Sequence, residues 1–386
     1  VSPRQRATET VAEAPATRIG IVGGGQLGRM LGLAGIPLGL GFSFLDANAE
    51  SPARAVGALL TADFGDNALM RQFAAQVDVL SFDWENASVE AIAAATKGLP
   101  LRIAPPLQAL AIGQDRLSEK QLFMRLGIPT TRHAAVDTLA QLKRAAGRIG
   151  LPGVLKTRRF GYDGKGQAVI CTAEELEPAW RELGGQPLLF EEYVPFDSEV
   201  SAIGARGADG SEALYPLNRN WHSHGILRLT LAPWRDAGLE RQARRHLRAV
   251  LAELDYVGVL AIEFFVRKGR LYANEFAPRV HNSGHWTIEG AETSQFENHV
   301  RAIARLPLGS AAPRGHSAMV NLIGRMPPRG ELLAVPGLHL HDYGKQPRPG
   351  RKLGHCTLVA ASAGERNRRT KGLLKLLAMK LPGLPR

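Results

Sequence analysis

Lys156-Thr157-Arg158-Arg159-Phe160-Gly161-Tyr162-Asp163-Gly164-Lys165-Gly166-Gln167 is bracketed by two apolar runs, Val154-Leu155 before it and Ala168-Val169-Ile170 after it. It holds four cations and three glycines. Glycine lets backbone N–H groups approach a ligand closely, because no Cβ intervenes. Lysine adds a mobile point charge suited to phosphate. The run therefore reads as a glycine-rich flap between two strands, lying over a polyphosphate. The segment after Gln167 is strand-like rather than helical, which separates this run from the strand–GxxxxGK[ST]–helix loop. A surface hairpin with solvated charges is the plainer alternative.

Upstream, short apolar strands alternate with helices. A strand at 18–22 runs into Gly23-Gly24-Gly25-Gln26-Leu27-Gly28, then a helix from 29 to about 35 and a strand at 41–45 ending in Asp46. This satisfies G-x-G-x-x-G with an acid about twenty residues on, the dinucleotide fingerprint. A glycine turn at a helix N-terminus also suits a sugar phosphate, or is only a tight turn. Helices at 68–76 and 89–96 and strands at 77–82 and 101–103 complete a small parallel α/β domain. A second domain opens near Asp115, with a helix that Gly127 and Pro129 stop.

Downstream, helices are expected at 139–149 and 173–183. The strand Leu-Leu-Phe-Glu-Glu-Tyr-Val at 188–194 suits an adenine edge, or is a core strand with two outward glutamates. A polar stretch at 218–224 holds Trp221, His222 and His224. The helix at 239–254 carries Arg241, Arg244, Arg245 and Arg248 on a solvated face. A hairpin at 257–266 and 271–275 turns at Lys268-Gly269, with Glu263 on one arm and Asn274-Glu275 on the other. An ideal two-residue turn would put the two glutamates on opposite faces; a loop of odd length, or a bulge at Gly269, would bring them together. Such a pair suits Mg²⁺, which takes one or two carboxylates plus substrate phosphates. The polar run Ala277-Pro278-Arg279-Val280-His281-Asn282-Ser283-Gly284-His285-Trp286 comes next, as an anion or substrate cradle. Its histidines are spaced i, i+4, but Ser283-Gly284 argues against a zinc helix. After a helix at 295–304, short strands at 319–324, 339–342 and 356–359 flank a basic turn containing Lys345, Arg348, Arg351 and Lys352.

At 386 residues the chain is long enough for two or three domains, and 45% hydrophobic with 22% charged residues is a globular composition. Cys171 and Cys356 are far apart and in no metal-like spacing, which fits a reducing cytosol. No apolar run is long and clean enough for a bilayer span. Residues 1–17 are polar, without the apolar core of a secretory signal, and read as a disordered extension. The net charge of +12 is uneven: 16 Lys and Arg against 3 Asp and Glu from Arg301 onward, and 32 against 33 before it. The basic residues are not interleaved with aromatics, which favours a phosphorylated small substrate over nucleic acid.

Four stretches occur in a telling order: Gly-Gly-Gly-Gln-Leu-Gly-Arg-Met (23–30), Arg-Arg-Phe-Gly-Tyr-Asp-Gly-Lys-Gly-Gln (158–167), Ala-Pro-Arg-Val-His-Asn-Ser-Gly-His-Trp (277–286) and Arg-Pro-Gly-Arg-Lys-Leu-Gly-His (348–355). From about residue 18 to 359 the chain closely resembles N5-carboxyaminoimidazole ribonucleotide synthetases, ATP-grasp enzymes of bacterial and fungal purine synthesis. The resemblance implies a mixed α/β and α+β chain. Its parts are a Rossmann-like preATP-grasp domain (18–114), an ATP-grasp domain (115–312) with a flap subdomain at about 152–190, and a small β-rich C-terminal domain (313–386) ending in a basic tail. It also implies a cytoplasmic homodimer that uses no nucleic acid or membrane. The implied activity is that of a carbon–nitrogen ligase. ATP phosphorylates bicarbonate, and the carboxyphosphate so formed is the source, as CO₂, of the carboxyl group added to the amine of 5-aminoimidazole ribonucleotide. Another ATP-grasp ligase of purine intermediates is the near alternative; an NAD-dependent oxidoreductase rests only on the first glycine turn and Asp46.

Carried over position by position, the resemblance puts Arg116, Lys156 and the flap residues Gly161, Tyr162, Asp163, Gly164, Lys165, Gly166 and Gln167 at the ATP phosphates. Glu191, Glu192, Tyr193, Val194 and Glu199 hold adenine and ribose, with His222 near the nucleotide. Glu263 and Glu275, with Asn274 beside them, hold Mg²⁺. Arg279, His281 and Asn282 are the implied catalytic residues and, with Ser283, face bicarbonate and aminoimidazole. Lys345, Arg351 and Lys352 take the ribonucleotide phosphate, and Gln26 and Leu27 close the site from the first domain. The family commonly shows Thr-Tyr/Phe-Glu-x-Glu-Asn after the third strand. Here Ser81-Phe82-Asp83-Trp84-Glu85-Asn86 keeps Glu85 as a substrate contact but shortens the first carboxylate to Asp83.

Overall fold

The computed structural model describes residues 17–161 and 164–384. Apart from Thr17, the expected N-terminal extension lies outside them, as do Tyr162 and Asp163 of the flap.

The strands Ala58–Thr61, Gly41–Asp46, Arg18–Val22, Val79–Phe82 and Arg102–Ile103 lie in that order in one five-stranded sheet, all pairs parallel. Parallel strands need crossovers on the sheet faces, so the central strands are buried on both sides and read as nearly continuous apolar runs, residues 19–22 and Val79–Phe82 with only Ser81 polar. The crossover helices start where small acceptors allow. Asp66 accepts from the N–H groups of Ala68 and Leu69 to cap Asn67–Ala74, and Ser88 accepts from that of Ala91 to cap Val89–Thr96. The first helix, Gln26–Gly35, begins three residues before the expected start at Arg29. Gly25 is already its extended N-cap, so the glycine turn proper is only Gly23-Gly24-Gly25.

A four-stranded antiparallel sheet forms the second unit, in the order His133–Val136, Leu188–Glu192, Gly153–Thr157, Gln167–Ile170. The flap joins the last two strands, with Lys156 opposite Gln167. This unit reaches back to His133 rather than starting near 152, because His133 pairs with Glu191. Helix Leu139–Ile149 covers it. Thr138 and Gln141 form a capping box, and Leu142, Ala145, Ala146 and Ile149 are buried at helical spacing.

The remaining strands build one nine-stranded sheet. The expected β-rich C-terminal segment is present, but not as a separate sheet. Its strand His316–Ile323 pairs with Ile226–Ala232, then Lys352–Ala360 and Leu338–Asp342 continue to the edge. Residues from this region are thereby brought to the same floor as the Gly258–Arg267 and Arg270–Ala277 hairpin. The polar stretch at 218–224 forms the strand Asn218–Ser223, and the basic tail contains the helix Ala363–Leu376, capped by Ser362. No helix of the described residues is long and apolar enough to cross a membrane.

Candidate active site

The first glycine turn is filled from within. Gly28 N–H donates to Asp83 Oδ2 at 2.7 Å, and Gly24 N–H donates to Asp46 Oδ2 at 2.8 Å. Gly23 has φ 107°, and a Cβ there would lie 1.8 Å from Asp83 Oδ1. Two carboxylates of the chain itself thus occupy the helix N-terminus that a dinucleotide's phosphates would need. Asp46, the expected ribose acid of that reading, turns back onto the turn. The oxidoreductase alternative is corrected on both counts.

Burial pushes the Asp83 carboxyl up to about 6, with Asp46 adding to the shift, although the Gly28 N–H opposes it. A carboxyl whose folded pKa is raised stabilises the fold relative to higher pH only while protonated, so its contribution is lost as pH rises through about 6. Asp83→Asn keeps an acceptor for Gly28 and removes the titration. It should flatten the pH dependence of urea unfolding between about pH 4 and about pH 7.5 by up to about 3 kcal/mol. An unaltered slope would mean that Asp83 ionises normally.

The acidic hairpin turns at Lys268-Gly269, with φ 49° and 73° at its two corners, a two-residue turn of the mirror-image type. Arg267 pairs with Arg270 and the register is regular as far as Phe264–Ala273; it then shifts so that Glu263 faces Glu275. The bulge therefore sits at Asn274, so the carboxylates meet neither through a loop of odd length nor through a bulge at Gly269. Asn274 is the extra residue, and the two carboxylates become direct cross-strand neighbours on one face. Arg116 Nη1 donates to Glu275 Oε2 at 3.0 Å, and His281 Nδ1 lies 3.9 Å from Glu263 Oε1. His222 Nδ1 bonds Glu199 Oε2 at 3.0 Å.

Burial pushes Glu263 up to about 7, and Glu275 and Glu199 add to it against the pull of His222. For Glu275 burial also acts upward, but Arg116 outweighs it and leaves the carboxyl at about 2. His222 goes the other way: burial disfavours its cation, yet the bond to Glu199 and the field of Glu263 raise it to about 9. A carboxyl that is hard to ionise beside an ionised one would be stabilised in its charged form by a cation. Among the described residues no cluster of three or more His, Cys, Asp or Glu could hold a metal alone. The buried Asn274 Oδ1 has no hydrogen-bond partner among the described residues. That donor set fits Mg²⁺ completed by phosphate oxygens and fits poorly with a metal held by protein alone.

The four cations of the flap region do different things. Arg158 Nε donates to Asp115 Oδ1 at 2.9 Å, and Arg159 Nη2 donates to Gln114 Oε1 at 2.7 Å, so both anchor the flap's root to the start of the second domain. Lys156 is buried, its Nζ 3.4 Å from Glu191 Oε2. Lys165 is exposed on the flap. Gly166 has φ 69°, and a Cβ there would come within 2.6 Å of Thr157 Oγ1. Glu191, expected at adenine or ribose, instead turns its carboxylate inward to Lys156, Lys120 and the Thr131 hydroxyl, which donates at 2.8 Å. Glu192 accepts from Arg132 Nε at 2.6 Å, Tyr193 is exposed and Val194 is buried.

The polar loop closes the site. Arg279 Nη2 donates to Glu85 Oε2 at 2.5 Å, tying the loop to the first domain, and Arg279 Nε is buried without a partner among the described residues. Burial and then Arg279 push His281 down to about 3, so it is neutral. Its Nδ1 accepts from Ser283 N–H at 3.3 Å and lies 2.8 Å from Ser283 Oγ; with that hydroxyl donating as well, the ring proton sits on Nε2. Asn282 and Asn321 exchange amide bonds at 3.1 and 2.7 Å. Lys352 lies close enough to act on both Glu263 and His281. Lys345 donates to Gln26 Oε1 across the domains, and burial and then Arg351 push it down to about 8. Arg351 Nη1 donates to Gln346 O at 3.1 Å, and the Leu27 side chain packs in the core. Sequence reasoning missed Lys120, Gln295 and Asn321, three buried polar side chains in apolar surroundings that carry no motif spacing.

A parallel preATP-grasp sheet, a small antiparallel lobe with a glycine-rich flap and a large sheet carrying paired carboxylates together define an ATP-grasp ligase. Family models agree: the ATP-grasp domain matches residues 121–296, the ribonucleotide synthetase preATP-grasp domain 16–114, and the phosphoribosylaminoimidazole carboxylase C-terminal domain 317–369. The chain is 51% identical to the N5-carboxyaminoimidazole ribonucleotide synthase of Pseudomonas aeruginosa over 89% of its length and 95% of that protein. It superposes on the crystal structure of the Thermus thermophilus synthetase with TM-score 0.89 at 51% identity, covering 94% of this chain and 99% of that one. The Aspergillus clavatus synthase in complex with ADP and 5-aminoimidazole ribonucleotide matches with TM-score 0.88 at 29% identity, covering 94% and 99%. The chain belongs to the N5-carboxyaminoimidazole ribonucleotide synthase family.

Proposed function

We propose that this chain carboxylates the amine of 5-aminoimidazole ribonucleotide with bicarbonate and ATP, giving N5-carboxyaminoimidazole ribonucleotide, ADP and phosphate in purine biosynthesis. The observation that carries this reading is the convergence of the Glu263–Glu275 pair with a loop, Arg279–Ser283, that is tied through Glu85 to the first domain. A nucleotide site and an acceptor site then share one wall. Lys156, Arg116 and the flap, including Tyr162 and Asp163, bind the polyphosphate; Glu192, Tyr193 and Glu199 border the nucleoside. Glu263 and Glu275 would hold Mg²⁺, which when bound neutralises phosphate charge. Arg279, with a buried unpaired Nε, and the Nε2–H of His281 are donors suited to bicarbonate oxygens. Lys345 and Lys352, with Gln26, clamp the ribonucleotide phosphate.

The chemistry needs no protein nucleophile. A bicarbonate oxygen attacks the γ-phosphorus and ADP leaves. The carboxyphosphate yields its carboxyl carbon to the amine, the carbon–oxygen bond to phosphate breaks, and the amine proton is lost to the medium. Positioning and exclusion of water do the work. The homodimer and the cytosolic setting belong to the same proposal.

The test is ADP release in a coupled assay. Turnover should require 5-aminoimidazole ribonucleotide and bicarbonate together. Equal ADP release with formate or glycinamide ribonucleotide as sole acceptor would assign the chain to another ligase.

A further inference from the structure

The bulge at Asn274 decides whether Glu275 faces Glu263, and the hairpin does not hold that bulge by itself. Arg270–Ala277 is the edge strand of the nine-stranded sheet, so one row of its backbone groups has no strand partner. Helix Arg116–Arg125 supplies the partners. Lys120 Nζ donates to Asn274 O at 3.0 Å and to Ala273 O at 3.3 Å. Glu119 Oε1 accepts from Phe276 N–H at 3.0 Å, and Arg116 bonds the Glu275 carboxylate. Residues at i, i+3 and i+4 share a helix face, so this face grips four successive residues of the bulged strand. Just beyond the helix, Thr130 Oγ1 donates to Ala273 O at 2.7 Å, and Ala273 N–H donates to Pro129 O at 2.7 Å.

Lys120 is the centre of this grip. Its side chain is 1% exposed, and it also lies 3.5 Å from Glu191 Oε2, the carboxylate that faces Lys156. A buried ammonium is costly unless its donors are used. Here they are used on the carbonyl of the extra residue, the carbonyl before it and the carboxylate behind the phosphate-facing lysine. We infer that Lys120 is a positioning residue: it pins the Asn274 bulge, and so sets the carboxylate pair on one face, without touching substrate. Without that ammonium, Asn274 O loses its Lys120 donor and Ala273 O is left with the hydroxyl of Thr130. The register with Glu263 opposite Asn274 would then put Glu275 on the far face.

The inference rests on the reading that Glu263 and Glu275 hold the cation, and the experiment separates the two. ADP binding is measured calorimetrically with and without Mn²⁺, and the readout is the factor by which the metal strengthens binding. The parent should show such a factor and Glu275→Gln should lose it. Lys120→Met should reduce it about tenfold or more, as for a residue that orients metal ligands through other groups. A merely structural loss would weaken metal-free and metal-linked binding alike and leave the factor unchanged; that result overturns the inference. If Lys120→Met does not fold, Thr130→Val takes its place, with the factor expected to drop about threefold for one lost hydrogen bond; an unchanged factor there also overturns it. A parent without metal enhancement, or a Glu275→Gln variant that keeps it, overturns the reading of the carboxylate pair instead.

Discussion

Glu275→Gln should lower ADP release by about a thousandfold, the scale on which one preorganised electrostatic group acts, and leave the fold intact. Glutamine has the same shape and keeps an oxygen for Arg116, so what the variant removes is one negative charge. That charge is present at neutral pH, because Arg116 outweighs burial and leaves the carboxyl at about 2. Its neighbour cannot stand in for it. Glu263 is at about 7 partly because Glu275 repels its charge, so removing Glu275 only makes Glu263 easier to ionise. A single carboxylate would then face the polyphosphate. The stability cost is small by comparison. The Glu275 side chain is 37% exposed, and a partly solvated ion pair contributes about 1 kcal/mol at most. Turnover and the thermal midpoint are measured on the same preparation. Undiminished turnover would remove the cation role from this residue, and a collapsed midpoint would show a structural role the geometry does not suggest.

Charge chemistry was legible in the sequence where it came with glycine or with local order. The flap between two strands, the acidic hairpin and the loop after it were each readable from a few consecutive residues. The bulge was not. Parity called for either a loop of odd length or a bulge, but the bulge's position depends on Lys120, far upstream in the chain. Asn218–Ser223 escaped because its buried face is polar: Asn218 donates to Asn220 Oδ1 at 2.9 Å, and Asn220 to Ser201 Oγ at 2.7 Å. A strand that buries amides shows no apolar alternation. Ala363–Leu376 escaped for a related reason. Its buried positions include Arg366, Asn367 and Thr370 beside Leu373 and Leu374, so the inward face looks like a solvated tail. The inward turn of Glu191 was hidden in the same way. Its two lysine partners come from different elements, and only the folded chain brings them to one carboxylate.

Gln295→Leu tests geometry where Glu275→Gln tests charge. Gln295 is wholly buried. Its Oε1 accepts from His281 N–H at 3.0 Å, its Nε2 donates to His281 O at 2.7 Å, and the same nitrogen lies 3.2 Å from His285 Nδ1. One amide thus does for the loop what a neighbouring strand would do. Packing leaves it no freedom, since a Cβ on Gly284 would come within 2.5 Å of Gln295 Oε1. Leucine has nearly the same volume and offers none of these bonds. The N–H and C=O of His281 and the ring nitrogen of His285 would be left unpaired in a dry site. At 1–3 kcal/mol for each buried group, partly relieved by loop movement, the cost is about 3–5 kcal/mol. A domain with a stability on the order of 10 kcal/mol survives that, so the loop gives way before the fold does. Displacing His281 and Arg279 by about an ångström should cost about a hundredfold in turnover. ADP binding should be unaffected, because the hydrogen bonds of Gln295 go to His281, His285 and Thr287 rather than to the nucleotide wall. Urea unfolding and ADP titration alongside turnover distinguish the outcomes. A destabilised variant with full activity would mean that the loop finds its geometry without Gln295, and a variant that loses ADP would mean that Gln295 supports the nucleotide wall as well.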